Sequence, residues 1–316
     1  MLPTLRTSAA LLFKSLILFI AVFNCSYAAT DSILVSIKPL HSLISHITEG
    51  VNQTDLLLDQ QQSAHHFHLL PSQKRKLNQS DILFYSSDNI EGFVRSLKNA
   101  SDTLEFIELS KIPGLATLAN RSFHSHETKH PAPEEHTATP PEADDIDGHI
   151  WLSINNAKKV SRYITDYLSK RSPADRVHYE KNLSLLLDRL NQLQQQNSAL
   201  LTQVKDKPFL VYHDAFQYLE RENSLSAAHF VTTSPEHSPG IKRIKELKQL
   251  ILEKNIQCIF YEPPNKPALI DTLGEHRNIN ATAIDPGGAY IDAGKQHYFI
   301  LMRQIADKLY ECLSKP

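Results

Sequence analysis

Short apolar runs rich in β-branched and aromatic residues alternate with helix-period segments along most of the chain. In the first half the runs fall at Ile33–Ile37, Thr54–Leu58, Ile82–Tyr85 and Thr103–Ile107, with helical patterns around Pro39–Glu49, Pro71–Gln79 and Asn89–Asn99. The second half repeats the arrangement. Its runs are Phe209–Tyr212, Ala227–Val231, Cys258–Tyr261 and Ala281–Ile284; its helical patterns lie near Phe216–Asn223, Ile241–Asn255 and Lys266–His276, with a last one near Lys295–Leu313. Strands separated by helices pair in parallel, because each helix returns the chain to the same end of the sheet. The pattern therefore predicts an α/β protein with two parallel-sheet lobes.

Between the halves the period changes. Leu183, Leu186, Leu190, Leu193, Leu200 and Val204 recur at steps of three and four, with Pro173 ahead of them and no glycine among them. This predicts one long rigid helix over 172–205, a rod of about 45–50 Å joining the lobes. Such a stripe can also serve a coiled-coil dimer. Here the flanking lobes can bury it without a partner, so a monomer is expected. The expected divisions are a leader at 1–28, a first lobe at 29–171, the helix at 172–205 and a second lobe at 206–316.

The leader follows from its own pattern. Arg6 and Lys14 precede the apolar run Leu16–Phe23, and Ser26 and Ala28 follow with the spacing of a cleavage site. This is the layout of a secretory signal peptide; so short a run cannot span ~30 Å of hydrocarbon. Cleavage removes Cys25 and leaves Cys258 and Cys312, an even pair in an exported chain, which favours a disulfide over two buried thiols.

Composition then narrows the function. Of 316 residues, 41% are hydrophobic and 22% charged, as in ordinary globular domains, and the formal charge of -2 lacks the basic excess of a nucleic-acid binder. No G-x-G-x-x-G, Walker A or G-x-S-x-G motif occurs. The 16 histidines stand out. Four of them, His124, His126, His130 and His136, lie in Ser122–Gly148, a proline- and acid-rich stretch without apolar periodicity that reads as a mobile loop. Within it His126-Glu127-Thr128-Lys129-His130 matches H-E-x-x-H. That motif works only on a packed helix, and Pro131 follows at once. The loop histidines are therefore expected to collect metal weakly, not to catalyse.

The remaining candidates follow strands or junctions. His65 lies in Ser63-Ala64-His65-His66-Phe67-His68, His149 closes the loop ahead of Ile150-Trp151-Leu152, and His213 directly follows Phe209–Tyr212. Asp285 follows Ala281–Ile284 and precedes Pro286-Gly287-Gly288. Two belong to each lobe, so a metal between them would lie in the interlobe cleft. Three neutral imidazoles and one oxygen suit tetrahedral Zn²⁺. Trp151 is expected to pack in the core beside His149.

These stretches bear a likeness. Ser36-Ile37-Lys38-Pro39, His65 through Leu69-Leu70-Pro71-Ser72, His149-Ile150-Trp151-Leu152-Ser153, Tyr212-His213-Asp214-Ala215-Phe216, Ile284-Asp285-Pro286 and the pair Cys258 and Cys312 occur in order across the mature chain. So arranged, the sequence resembles the zinc-uptake substrate-binding proteins of bacterial ABC transporters, including the position of their His-rich insertion. The resemblance implies a periplasmic protein that captures Zn²⁺ and delivers it to an inner-membrane permease, with no catalysis. It implies ligands at His65, His149 and His213, where manganese-carrying relatives place a carboxylate at the position of His213. The sequence departs from some zinc members at Ala64, where they carry Glu, which leaves the fourth ligand to Asp285, water or a loop histidine. A manganese or iron carrier is the alternative within the class; a zinc-dependent hydrolase and a surface adhesin are alternatives outside it.

Overall fold

Two sheets of four parallel strands, each in the same spatial order, carry the architecture. The computed structural model describes residues 31–59, 69–99, 103–121, 146–233, 238–264, 266–274 and 279–315. The first sheet has β1 (Ile33–Val35), β2 (Thr54–Leu56), β3 (Ile82–Tyr85) and β4 (Glu105–Glu108) in the order β2-β1-β3-β4. The second has β5 (Leu210–His213), β6 (His229–Thr232), β7 (Cys258–Tyr261) and β8 (Asn280–Ala283) in the order β6-β5-β7-β8. Central strands such as β1 and β3 are buried at every residue, which is why their sequences read as unbroken apolar runs and not as alternation. In this order the direction of chain progression reverses between β1 and β3, and again between β5 and β7. The crevices outside the carboxyl ends of those strand pairs are where open α/β sheets bind ligands.

The helices flanking the sheets are α1 (Lys38–Ile47), α2 (Pro71–Asn78) and α3 (Phe93–Lys98) in the first half. In the second they are α6 (Gln217–Asn223), α7 (Ile241–Glu253), α8 (Ala268–Gly274) and α9 (His297–Leu313). Most ends fall within a few residues of the sequence expectation. The connecting segment differs more. The α-helix there, α5, runs from Arg176 to Leu201 and continues as a 3-10 turn over Thr202–Val204. Its 26 residues give about 39 Å, shorter than expected, because residues 172–175 turn the chain. Ahead of them stands an 18-residue helix, α4 (Ile154–Arg171), absent from the sequence expectation. Its buried stripe includes Asn156, Ser161 and Thr165, which dilute the apolar period, and it is capped by Ser153, whose hydroxyl accepts the amide of Asn156 at 3.1 Å. Among the described residues no helix is long and apolar enough to cross a membrane.

The two sheets share a core. Leu186, Leu190, Leu193 and Leu201 on α5 are buried in one apolar cluster that also takes in β1, β3, α1 and α4 of the first lobe and Phe209, Phe230, Phe260 and α9 of the second. Asn197 interrupts the stripe and is buried too; its amide donates to the carbonyl of Met302 on α9 at 3.0 Å. The outer face of the second sheet keeps a smaller core of its own, with Leu247 and Ile251 of α7 and Ile270 and Leu273 of α8. Polar bonds stitch the chain between β8 and α9 onto the first lobe. Trp151 Nε1 donates to Pro286 O at 2.8 Å, Lys38 Nζ to Ala289 O at 2.7 Å, and Ser42 Oγ to Lys295 O at 2.8 Å. The Tyr298 hydroxyl donates to Trp151 O at 2.8 Å.

Cys258 at the start of β7 and Cys312 near the end of α9 form a disulfide, with Cα atoms 6.0 Å apart. It closes a loop with a sequence separation of 54, for which the chain-entropy model gives about 4 kcal/mol. Replacing both cysteines by alanine should lower the unfolding free energy by about 2–4 kcal/mol, read by urea denaturation of metal-free protein. An unchanged midpoint would show that the bridge adds nothing to the packing of α9.

Candidate metal centre

His213 closes β5, and Glu262 directly follows β7 on the neighbouring strand. The register pairs Leu210 with Ile259 and Val211 with Phe260, so two further steps bring His213 beside Glu262. Nδ1 of His213 donates to Glu262 Oε1 at 2.9 Å, and the imidazole is 2% exposed. Burial by itself would push the ring's pKa down. The Glu262 hydrogen bond and charge, with Asp214 and Asp147 nearby, outweigh it and raise the pKa above its ordinary value.

His149 stands on the opposite side of the crevice, and its position is set by three fixings. Asp147 Oδ1 accepts both the backbone amide of His149 at 3.0 Å and its Nδ1 at 2.7 Å. The other oxygen of Asp147 accepts Gln217 Nε2 at 3.0 Å, and its carbonyl accepts the Tyr218 hydroxyl at 2.7 Å, both from α6. The carbonyl of Gly148 accepts Ser86 Oγ at 2.6 Å, at the carboxyl end of β3. A Cβ at Gly148 would lie 2.5 Å from Ile90 and 2.8 Å from Ser87, so only glycine allows this approach. Ile146, Asp147 and Gly148, which the sequence pattern assigns to the loop, are therefore buried parts of the site.

The two imidazoles meet edge to face with centroids 5.0 Å apart. Each gives Nδ1–H to a carboxylate, which places the ring lone pair on Nε2 and orients it; metal-ligating histidines are held in this way. Both rings line a cavity of about 470 Å³, together with Asn89, Asn120, Arg121, Asp147 and Asp214. Trp151 packs beside His149 as expected, its ring 5.3 Å away.

The other expected ligands are placed differently. Asp285 turns its carboxylate onto its own loop, accepting the amides of Gly287, Gly288 and Ala289 at 2.8, 2.9 and 2.6 Å. Burial raises its pKa against these bonds, with the charge of Glu262 adding to the rise. It lines a separate cavity of about 70 Å³ with Pro263 and Tyr290, not the cavity of the histidines. His65, with His66 and His68, lies outside the described residues, as do His124, His126, His130 and His136. The ends of the segment that carries His65 are tied by one side chain: Gln73 accepts the amide of Leu70 at 2.9 Å and donates to Leu57 O at 3.1 Å. Among the described residues no group of three or more His, Cys, Asp or Glu is arranged to hold a metal ion. Sequence reasoning missed Asp147 and Glu262. The first is legible as a carboxylate two residues before a candidate ligand; the second needs the strand order.

A two-lobed α/β scaffold with paired, carboxylate-held imidazoles in the interlobe crevice defines a class of metal-binding proteins. The chain belongs to the family described as zinc-uptake complex component A, periplasmic, whose model matches residues 33–312. It is 31% identical to the high-affinity zinc uptake system protein ZnuA of Brucella suis over 308 residues, 90% of this chain and 92% of that one. Its fold matches a crystal structure of ZnuA with a TM-score of 0.72 at 20% identity, covering 90% of this chain and 99% of that one. It also matches a Mn-bound periplasmic metal-binding protein of Candidatus Liberibacter asiaticus, with a TM-score of 0.74 at 14% identity over 90% and 100% of the chains. These two likenesses show the fold; the zinc-uptake family is shown by the sequence.

The Glu262–His213 pair has a defined pH signature. His213 titrates above its unfolded value of about 6.5. The stability this contributes is fully present below that value and is lost as pH rises through the raised folded pKa. Glu262→Gln should therefore destabilise the metal-free protein by about 1–2 kcal/mol near about pH 6 and by less near about pH 9. Urea denaturation at the two pH values tests this, and equal losses at both would show that the pair carries no coupled charge.

Proposed function

We propose that this protein captures Zn²⁺ in the periplasm and hands it to an ABC-type importer in the inner membrane, making and breaking no covalent bond. The observation that carries the reading is the pair His149 and His213, with ring centroids 5.0 Å apart and each Nδ1 on its own carboxylate. Imidazole nitrogens favour zinc, where manganese would call for more oxygen donors. His65 is the third ligand in this reading; Asp285 serves as a weaker fourth only by giving up the three loop amides that hold its carboxylate. A divalent ion between neutral imidazoles also offsets the charges of Asp147 and Glu262, which stand directly behind them.

The rest of the reading comes from the sequence and the family. Residues 1–28 are a cleaved export signal, residues 29–171 and 206–316 are the lobes joined through 172–205, and the working form is a monomer. His124, His126, His130 and His136 collect metal weakly near the cleft.

Calorimetry with Zn²⁺ on single variants tests the ligand set. His65→Ala, His149→Ala and His213→Ala should each cost more than the ~10–100-fold in affinity expected for Asp147→Asn or Glu262→Gln, which remove only the support behind a ligand. Asp285→Asn should cost less than any of the histidine changes. Wild-type affinity in any histidine variant removes that residue from the ligand set.

Zinc needs a neutral ring at His213, whose pKa is raised, so binding must release a proton. Affinity should fall steadily from about pH 8 to about pH 6, and calorimetry in two buffers of different ionisation enthalpy should show the release. Affinity independent of pH over this range would count against histidine ligation.

A further inference from the structure

The histidine cavity holds a cation that ligand binding does not call for. Arg121 lines it with a side chain only 14% exposed, wedged between two carboxylates more deeply buried than itself, Asp214 at 4% and Glu220 at 6%. Its Nε donates to both oxygens of Asp214 at 3.0 and 2.9 Å, and Nη2 donates to Asp214 as well. Nη1 and Nη2 donate to the two oxygens of Glu220 at 2.8 and 3.2 Å. The guanidinium lies 5.4 Å from the Phe230 ring centroid. Every nitrogen of the fork is engaged, a geometry an ammonium cannot copy.

The connections of this cage are more telling than its charge. Arg121 extends the segment whose Ala119 bridges Ile146 in antiparallel fashion and whose Leu118 carbonyl accepts the Asp147 amide at 2.8 Å. That pairing leads directly to Asp147 and His149. Asp214, at the other end of the guanidinium, immediately follows His213, and its amide is bound to Thr232 O at 3.2 Å. Glu220 lies on α6, the helix whose Gln217 and Tyr218 hold Asp147. One side chain thus joins the bridged segment leading to one imidazole to the turn bearing the other.

We infer that Arg121 is a positioning residue for the metal site: by gripping Asp214 and Glu220 it holds the turn of His213 in register with the bridged segment that leads to His149. The inference rests on the reading that these two histidines bind the metal. The bonds of Arg121 go to Asp214 and Glu220; it acts through Asp214 and through the chain that leads to Asp147. A residue that merely neutralised two buried acids would affect stability and leave the metal geometry alone.

Arg121→Lys keeps the charge and removes the fork. The triple variant Arg121→Gln, Asp214→Asn, Glu220→Gln removes the fork without leaving an unpaired buried charge, and serves where single removal of the arginine prevents folding. Zn²⁺ affinity by competition titration, the visible absorption spectrum of the Co²⁺-loaded protein and the melting temperature of the metal-free protein are measured on both, beside His213→Ala. The expected result is a loss of ~10–100-fold in Zn²⁺ affinity and an altered Co²⁺ spectrum in Arg121→Lys and in the triple variant, with strong loss of binding in His213→Ala. Wild-type affinity and spectrum in both cage variants, with only a lower melting temperature, would overturn the positioning role while leaving the ligand reading intact. Wild-type affinity in His213→Ala would overturn the ligand reading and this inference with it.

Discussion

The burial of one helix against helices of both lobes is the constraint that holds the site together. Helix α5 packs on α4 and α1 of the first lobe and on α9 of the second, and Leu186, Leu190 and Leu201 along it are fully buried. Each such leucine is worth about 1.5–3 kcal/mol removed from water, so the stripe as a whole strongly opposes separation of the sheets. The Asn197–Met302 bond and the contacts of α9 with α1 and α5 continue the seam. Because the core is continuous, the spacing of His149 and His213 is set by the packing of the whole molecule.

Electrostatics around the site is arranged in compensated groups. A lone buried charge would cost several kcal/mol, and each acid here has a partner: Asp147 with His149, Glu262 with His213, and Asp214 and Glu220 with Arg121. The two histidine pairs differ from the arginine cage in what they can exchange. An arginine remains charged throughout the working pH range, whereas an imidazole can give up its proton. Behind His213 the Glu262 carboxylate therefore favours a ring proton, against the burial of the ring.

The topological repeat explains why the two halves contribute unequal parts. In both sheets the crevice opens between the first and third strands, and the second lobe fills its crevice with a histidine and a glutamate on adjacent strand ends. The first lobe uses the same place for support: Ser86 and Ser87 at the end of β3 donate their amides to the buried Glu91, and Ser86 also holds Gly148. Burial pushes the Glu91 carboxyl up to about 7 against these bonds. Its histidine arrives from a distant part of the chain, beyond the single bridge between Ala119 and Ile146.

The sequence by itself determined the fold class and the eight strands, and it singled out His149 and His213, two rings that the structure brings within 5.0 Å of each other. Hydrophobic period and strand-end position are local properties, and the unbroken apolar runs announce strands buried on both faces. It did not reveal α4, whose buried stripe carries polar residues at Asn156, Ser161 and Thr165. Nor did it assign partners. Glu262 lies 49 residues from His213, and Arg121 93 residues from Asp214, so neither pairing leaves a trace in spacing. Asp147 looked like one acid among several in a polar segment until burial against His149 and α6 set it apart. Asp285 stood where strand ends place ligands, and the tertiary structure gave its carboxylate to three backbone amides of its own loop. Which polar groups meet is decided by the order of strands and the packing of α5, and those depend on contacts between residues far apart in the chain.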